Sequence, residues 1–247
     1  SDVMVDSPTN NFATLNPLTK RPAANGLLSE GNLKYTTYTG DSNVFATMGI
    51  LPSQKVYFEI YLQANSNQNF IGISNLIDNG DGDFAKGGSE TGSYGRKVRG
   101  AATVQQYFNN GSETNLGVNN VSVGVIVGVA VDNENGKVHY AFNNTWDSDA
   151  TDNNPAADVT GFNTSVTQFP QFSADTPNNT VINIANFGQD SSFAGAKTAQ
   201  GNQDGNSIGD FYYTPPTGYL ALCTSNLPDV AVVPSEHFNT VLYTGAN

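Results

Sequence analysis

The chain has 247 residues, of which 38% are hydrophobic and only 13% charged, with a net charge of −12 and a pI near 4.2. That length suffices for one large β domain or two small ones with a real core, while the acidity disfavours phosphate backbones and anionic lipid heads, so neither nucleic acid nor membrane is expected as a partner. The one cysteine, Cys223, excludes an intramolecular disulfide, and no run approaches the roughly 18 apolar residues of a membrane-spanning helix.

Uncharged polar residues cover the surface instead, in runs such as Asn65-Ser66-Asn67-Gln68-Asn69. These residue types favour turns, because their side chains compete for backbone hydrogen bonds. Residues 1–10 read as a linker from a preceding module, and the absence of a charged start followed by an apolar run gives no signal peptide. Early strands are expected at Asn32–Tyr38 and Asn43–Ile50. Lys55–Gln63 alternates cleanly: Val56, Phe58, Ile60 and Leu62 on one face, Tyr57, Glu59 and Tyr61 on the other. This predicts a half-buried strand, with Phe70–Ser74 as its hairpin partner. Val121–Asp132 places six valines on one face and small residues such as Gly124, Gly128 and Ala130 on the other, which lets another layer approach. Asp132–Gly136 is a turn and Lys137–Asn143 the return strand, the clearest hairpin in the chain. Val181–Phe187 and Gly218–Cys223 complete the strands, and no segment carries a capped helical stripe.

Short strands between Asn, Gly, Asp and Pro turns define an all-β chain, an antiparallel sandwich or barrel. Its long inserts, Asp78–Gly100, Asn109–Asn120, Asp147–Gly161 and Ser191–Gly209, are where binding function is expected. The domain reading is a sandwich over 11–225, then a linker and the start of a following module over 226–247.

Catalytic chemistry finds little footing. Of two histidines, His139 lies on a strand and His237 in the terminal linker, and both read as surface or edge residues without triad partners. Cys223, in an apolar strand, is expected to pack as a small hydrophobe. A glycosidase needs two facing carboxylates, whereas Glu59 is the lone acid inside a strand body, flanked by tyrosines. Two acidic loops, with Asp78, Asp81 and Asp83 in one and Asp147, Asp149 and Asp152 in the other, fail the EF-hand pattern. They leave a looser Ca²⁺ site as the one cofactor to consider, the alternative being solvated turns. Five N-x-S/T triplets, at Asn110, Asn120, Asn143, Asn163 and Asn178, read mostly as chance in so Asn-rich a chain. Sugar sites use aromatic platforms, and the candidates beside loops are Tyr94, Tyr107, Phe108 and Trp146, which as readily cap the core.

Specific strings narrow the class. VYFEIYL at 56–62, IGIS at 71–74, SYG at 93–95, VGVAVDNENGKVHYAFNN at 127–144 and INIANFG at 182–188, with Phe193 after it, together resemble a SPRY (B30.2-like) domain. The departure is Asn143-Asn144-Thr145-Trp146, where that family's Asn-Gly turn is lost. The flanks Asp6–Leu18 and Tyr213–Pro228, and Pro234–Gly245 beyond them, resemble the borders of such modules in large virion proteins of marine tailed phages. The resemblance implies a concanavalin-like, jelly-roll two-sheet antiparallel sandwich without catalytic machinery, binding through loops at one end. It also implies a virion or extracellular location on a tail fibre, appendage or capsid surface. Implied partners are other virion proteins, sister copies in a homo-oligomer such as a trimer, and a host surface glycan or protein. A structural decoration or spacer without ligand, and a glycan-degrading sandwich, are the alternatives.

Overall fold

The computed structural model describes residues 10–20, 26–38, 40–65, 68–75, 92–98, 100, 103–119, 121–146, 159–176 and 180–228. In chain order its strands are β1 (Gly26–Ser29), β2 (Lys34–Thr37), β3 (Gly40–Phe45), β4 (Lys55–Ala64), β5 (Asn69–Ser74), β6 (Ser93–Lys97), β7 (Thr103–Asn109) and β8 (Ser112–Asn119). There follow β9 (Ile126–Asp132), β10 (Lys137–Phe142), β11 (Thr145–Trp146), β12 (Val159–Thr160), β13 (Phe169–Thr176), β14 (Val181–Asn186) and β15 (Leu220–Ala221). Two 3₁₀ turns, Pro17–Thr19 and Thr224–Asn226, are the helical elements among the described residues.

The strands form two antiparallel sheets packed as a sandwich. The larger has nine strands in the order β1-β2-β14-β4-β9-β10-β11, with β12 on β10 and β15 on β4; the smaller has six, ordered β3-β13-β5-β6-β7-β8. β15 alone runs parallel to its neighbour, pairing Leu220 with Val56 and Ala221 with Tyr57. The core lies between the sheets. Val56, Phe58, Ile60 and Leu62 of β4 face it with Val127, Val129 and Val131 of β9, opposite Ile71, Ile73 and Phe172 of the smaller sheet.

Polar links cross this apolar layer, among them the Tyr35 hydroxyl of β2, which donates to Ser42 Oγ of β3 at 2.7 Å. The amides of Asn69 and Asn183 exchange reciprocal hydrogen bonds of 3.0 and 2.9 Å, and the Tyr140 hydroxyl donates to the Ile71 carbonyl at 2.9 Å. Most buried polar groups in folded proteins are paired in this way.

Alternation predicted the two faces of β4 correctly but not its burial or its partner. Tyr57 and Glu59 are as buried as the core side, because a second layer covers that face. The Phe70–Ser74 segment joins the other sheet, pairing with β13 and β6; β4 pairs with β9 and β14 instead. The 121–132 strand begins only at Ile126, and Val123 is 58% exposed in the preceding turn. The hairpin of β9 and β10 forms as expected. Asp132 builds its turn by accepting from the backbone N–H of Glu134 and Asn135, and Lys55 bridges to Asp132 at 3.0 Å.

Gly72 shows how tightly β5 and β6 approach. A Cβ there would lie 2.1 Å from the Tyr94 carbonyl oxygen and 2.6 Å from Gly95 Cα, both backbone atoms. Backbone cannot yield as a side chain does, so Gly72→Ala is expected to cost about 3 kcal/mol, at the upper end of overpacking penalties. A urea titration reads this as a lower midpoint at unchanged slope.

The chain enters and leaves this body at one place. Phe12 bridges Cys223 in antiparallel sense, Ala13 N–H donates to the Leu222 carbonyl, and Thr224 N–H donates to the Asn11 carbonyl. The Asn11 N–H returns a bond to Thr224 Oγ1 at 3.1 Å, and the side chains of Ser225 and Asn10 meet beyond it.

Candidate functional site

The outer face of the larger sheet is covered by a long C-terminal strap, residues 187–228, almost without regular structure. Side-chain acceptors rather than a ladder hold its shape. Asp204 accepts from the N–H groups of Asn206, Ile208 and Ala221 and from the Asn226 amide, at 2.8–3.0 Å. Asp190 accepts from Ser192 N–H at 2.8 Å and Ala194 N–H at 2.7 Å. That turn places Phe193 at φ 50° and Ala194 at φ 58°. A bulky side chain rarely adopts this left-handed conformation. It drives the Phe193 ring inward until 1% of the residue is exposed, against Ile184 and Tyr61. Gly188, at φ 118°, starts the strap, and a Cβ there would meet the Phe12 ring at 2.8 Å. Glycine is required on both counts.

The strap is anchored by Glu59, on the outward face of β4 and wholly buried. Its Oε1 accepts from the Tyr57 hydroxyl at 3.0 Å and from Tyr213 N–H at 2.8 Å. Its Oε2 accepts from Tyr212 N–H at 2.8 Å and from the Asn186 amide at 3.2 Å. Asn186 also donates to the Asp210 carbonyl and accepts from Gly188 and Asp190 N–H, so one amide ties β14, the start of the strap and its return pass together. Burial pushes the Glu59 carboxyl up to about 7, against the pull of its four donors. The same burial, with the Glu59 charge beside it, drives the Tyr57 hydroxyl well above its usual range.

This clasp carries an aromatic shelf. Tyr212 and Tyr213 stand edge to face, centroids 5.0 Å apart at 78°. Phe193 lies beneath, 6.2 Å from Tyr212 and 5.7 Å from Tyr61, while the Lys197 ammonium sits 4.9 Å from the Tyr61 centroid. Phe193 is buried, but Tyr61, Tyr212 and Tyr213 each keep part of their surface open. A second cluster on the same face packs Tyr57, Phe211, Tyr219, Ala221 and Cys223. Cys223 is the buried small hydrophobe that the sequence suggests, 1% exposed with its thiol pushed up by burial. A cleft of about 230 Å³ beside it is lined by Gln54, Lys55 and Leu227 among others. Its polar groups are committed internally: Gln54 bonds Leu51 N–H and the Asn226 carbonyl, and Lys55 pairs with Asp132 and Glu134.

The four sequence candidates do not meet at one site, and none stands in a loop. Tyr94 is on β6, 6% exposed in the main core, its ring 5.4 Å from Phe162. Phe108 is on β7, 6% exposed against Phe70, and Tyr107 beside it is half-buried against the core. Trp146 lies on the other sheet, half-buried in β11 with its ring 6.5 Å from Tyr57. Glycine and serine around Tyr94 suggested a loop, but they mark the close approach of two strands. His139 is likewise no surface residue: it is 4% exposed and edge-on to Tyr219 under the strap.

Asp78, Asp81, Asp83, Asp147, Asp149 and Asp152, and His237, fall outside the described residues, as do Asn120 and Asn178. Among the described residues no group of three His, Cys, Asp or Glu is placed to hold a metal ion, and no helix is long and apolar enough to cross a membrane. The sequence signal for the shelf that was present is the run Phe211-Tyr212-Tyr213, three aromatics together in a Gly/Asn-rich segment.

No family model matches the chain, and no curated protein matches it. Among solved structures it is similar to the SPRY domain of human HERC1, at 15% identity over 69% of this chain and 96% of that one, with a TM-score of 0.49. It is similar also to the TRIM65 PSpry domain, at 14% identity over 70% of this chain and 88% of that one, with a TM-score of 0.47.

Proposed function

We propose that this chain is a SPRY-like, non-enzymatic binding module displayed outside a virion, part of a tailed-phage tail fibre or receptor-binding appendage that contacts host surface glycan or protein. The observation that carries the reading is the pairing of residues 10–13 with 222–225. A spacer built in series has its two ends at opposite poles and adds length between its neighbours. A sandwich entered and left at one point adds none and projects sideways, as a displayed binding head does. The glycan-degrading alternative loses its acid, since Glu59 is sealed beneath Tyr212 and Tyr213 and cannot face a substrate. Flanking virion proteins and sister copies are the partners this placement implies.

Cryo-electron microscopy of the intact particle tests the reading. The expected image is a lateral knob of about 26 kDa per copy, standing off the axis of its parent fibre. A segment threaded in line between two neighbours, or a plate sealed into a capsid lattice, would instead establish the structural alternative.

A further inference from the structure

On the outer face of the larger sheet a partly open lane mixes apolar Leu27, Ile182 and Ile184 with Ser29, Lys34 and Thr36. Register places Leu27, Thr36, Ile182 and Ala64 in one cross-strand row, and Ser29, Lys34, Ile184 and Tyr61 in the next. Tyr212 and Tyr213 sit over Ile184 and Tyr61 at the inner end of the lane, and Leu27, 53% exposed, marks the outer end. From β4 to β1 this is three interstrand spacings, roughly 14 Å.

We propose that this lane, with the Tyr61–Tyr212–Tyr213 shelf at its head, binds an uncharged oligosaccharide. The proposal rests on the binding reading above and names the ligand class for it. Pyranose rings present flat C–H faces that stack on aromatic faces, and tyrosine adds a phenolic hydroxyl at the ring edge. Tyr212 and Tyr213 stand nearly perpendicular, so a sugar stacked on one ring meets the edge of the other. The shelf is pre-ordered, because Glu59 fixes the backbone of both tyrosines and Phe193 supports the rings from below. Ordering before binding removes much of the entropic cost of binding.

Charge selects among glycans. Lys197 is already committed, over the Tyr61 ring and to the Gly124 carbonyl at 3.2 Å. The neighbouring polar side chains Asn202 and Thr214 are uncharged and bond each other at 3.1 Å. The lane itself holds one cation, Lys34 between Ser29 and Ile184, and a single ammonium against a net charge of −12 disfavours a sulfated or uronic-acid polymer.

Affinity electrophoresis of the full chain through native gels containing dextran, laminarin or galactomannan tests this, with alginate and carrageenan as the anionic comparison. Retardation by at least one neutral polysaccharide is expected, with at least tenfold weaker affinity in Tyr212→Ala and no change in Tyr107→Ala on the other sheet. Tyrosine ring resonances followed by NMR during titration with the retarding oligosaccharide give a readout that needs no variant, and a few rings are expected to shift. Absence of retardation in all three neutral gels, retardation by the anionic polymers alone, unaltered binding by Tyr212→Ala, or unshifted tyrosine rings would each overturn the proposal. If the labelled Tyr212→Ala chain still adheres to host cells as the parent does, the binding module stands and this site for it falls.

Discussion

Glu59→Ala is expected to lower the unfolding free energy by about 4 kcal/mol or more, the largest effect of any single substitution at this site. The substitution strips the acceptor from two backbone N–H groups, those of Tyr212 and Tyr213, and from the buried Tyr57 hydroxyl, and takes one of the two bonds of the Asn186 amide. Each orphaned buried donor costs about 1–3 kcal/mol, and the void left under the strap adds a cavity term. Losses beyond 4 kcal/mol belong to a short list of mechanisms, and a stripped buried network is one of them.

Glu59→Gln is the sharper experiment, because it preserves volume. Both carboxylate oxygens receive a backbone N–H at 2.8 Å, so whichever way the glutamine amide is turned, its NH₂ confronts a fixed donor. An expected loss of about 2–3 kcal/mol follows from one unsatisfied donor and one displaced one. Tyr57→Phe removes a single bond from the same carboxylate and is expected to cost about 1 kcal/mol. The order Ala, Gln, then Phe in urea midpoints is therefore the signature of the clasp. A glutamine variant as stable as the parent would mean that the strap is held by its rings alone.

Much of the sandwich was legible because β structure writes a period of two into the sequence. The Lys55–Gln63 alternation separated Val56, Phe58, Ile60 and Leu62 from Tyr57, Glu59 and Tyr61, and the two sets do face different clusters. The small residues opposite the valines also meant what they suggested, for a Cβ on Gly128 would lie 2.8 Å from the Tyr57 hydroxyl. Period gives a strand's faces but not its neighbours, so Phe70–Ser74 reads as the hairpin partner of β4 although it pairs with β13 and β6 in the other sheet. Nor does it say what covers a face. Glu59 between two tyrosines has the pattern of a solvated row, and the groups that bury it come from residues 186, 212 and 213, more than a hundred positions away. The strap has no period at all. Its order comes from Asp190, Asp204 and Asn186 bonding backbone locally, and such Asx contacts look in sequence like an ordinary loop. The shelf is illegible for the same reason: loop composition points to aromatics beside the long inserts, while the structure sets its partly open tyrosines, Tyr212 and Tyr213, on a segment that a buried acid holds in place.

The second large effect is on pH, and its direction is opposite to the usual acid lability. Glu59 sits at about 7 in the folded chain against 4.5 for the free side chain. The folded state therefore binds the extra proton between those values, and stability falls as pH rises through the window. A shift of that size corresponds to about 3 kcal/mol. Asp132 works the other way: donors from Asn135 and the Lys55 ammonium hold it below 3.8, despite its burial, so its contribution is lost only as pH falls through that lower range. The combined contribution of these two groups is greatest near pH ~4, between the free values of 3.8 and 4.5, rather than at neutrality. The Tyr57 hydroxyl gives the neutral acid a place for its proton. It donates to the carboxylate and can turn to accept from the acid, so the backbone bonds to Tyr212 and Tyr213 persist in both states. Raising the pH from ~5 to ~8 is expected to lower Tm by about 6–12 °C, at roughly 2–4 °C per kcal/mol for a chain of this size. Part of any such fall comes from self-repulsion of a chain with net charge −12, which also grows with pH. Glu59→Gln separates the two contributions, because it retains the surface charges but cannot titrate. Calorimetry of both proteins across the window should show the parent losing about 3 kcal/mol more than the variant, and parallel curves would place the Glu59 proton equilibrium outside it.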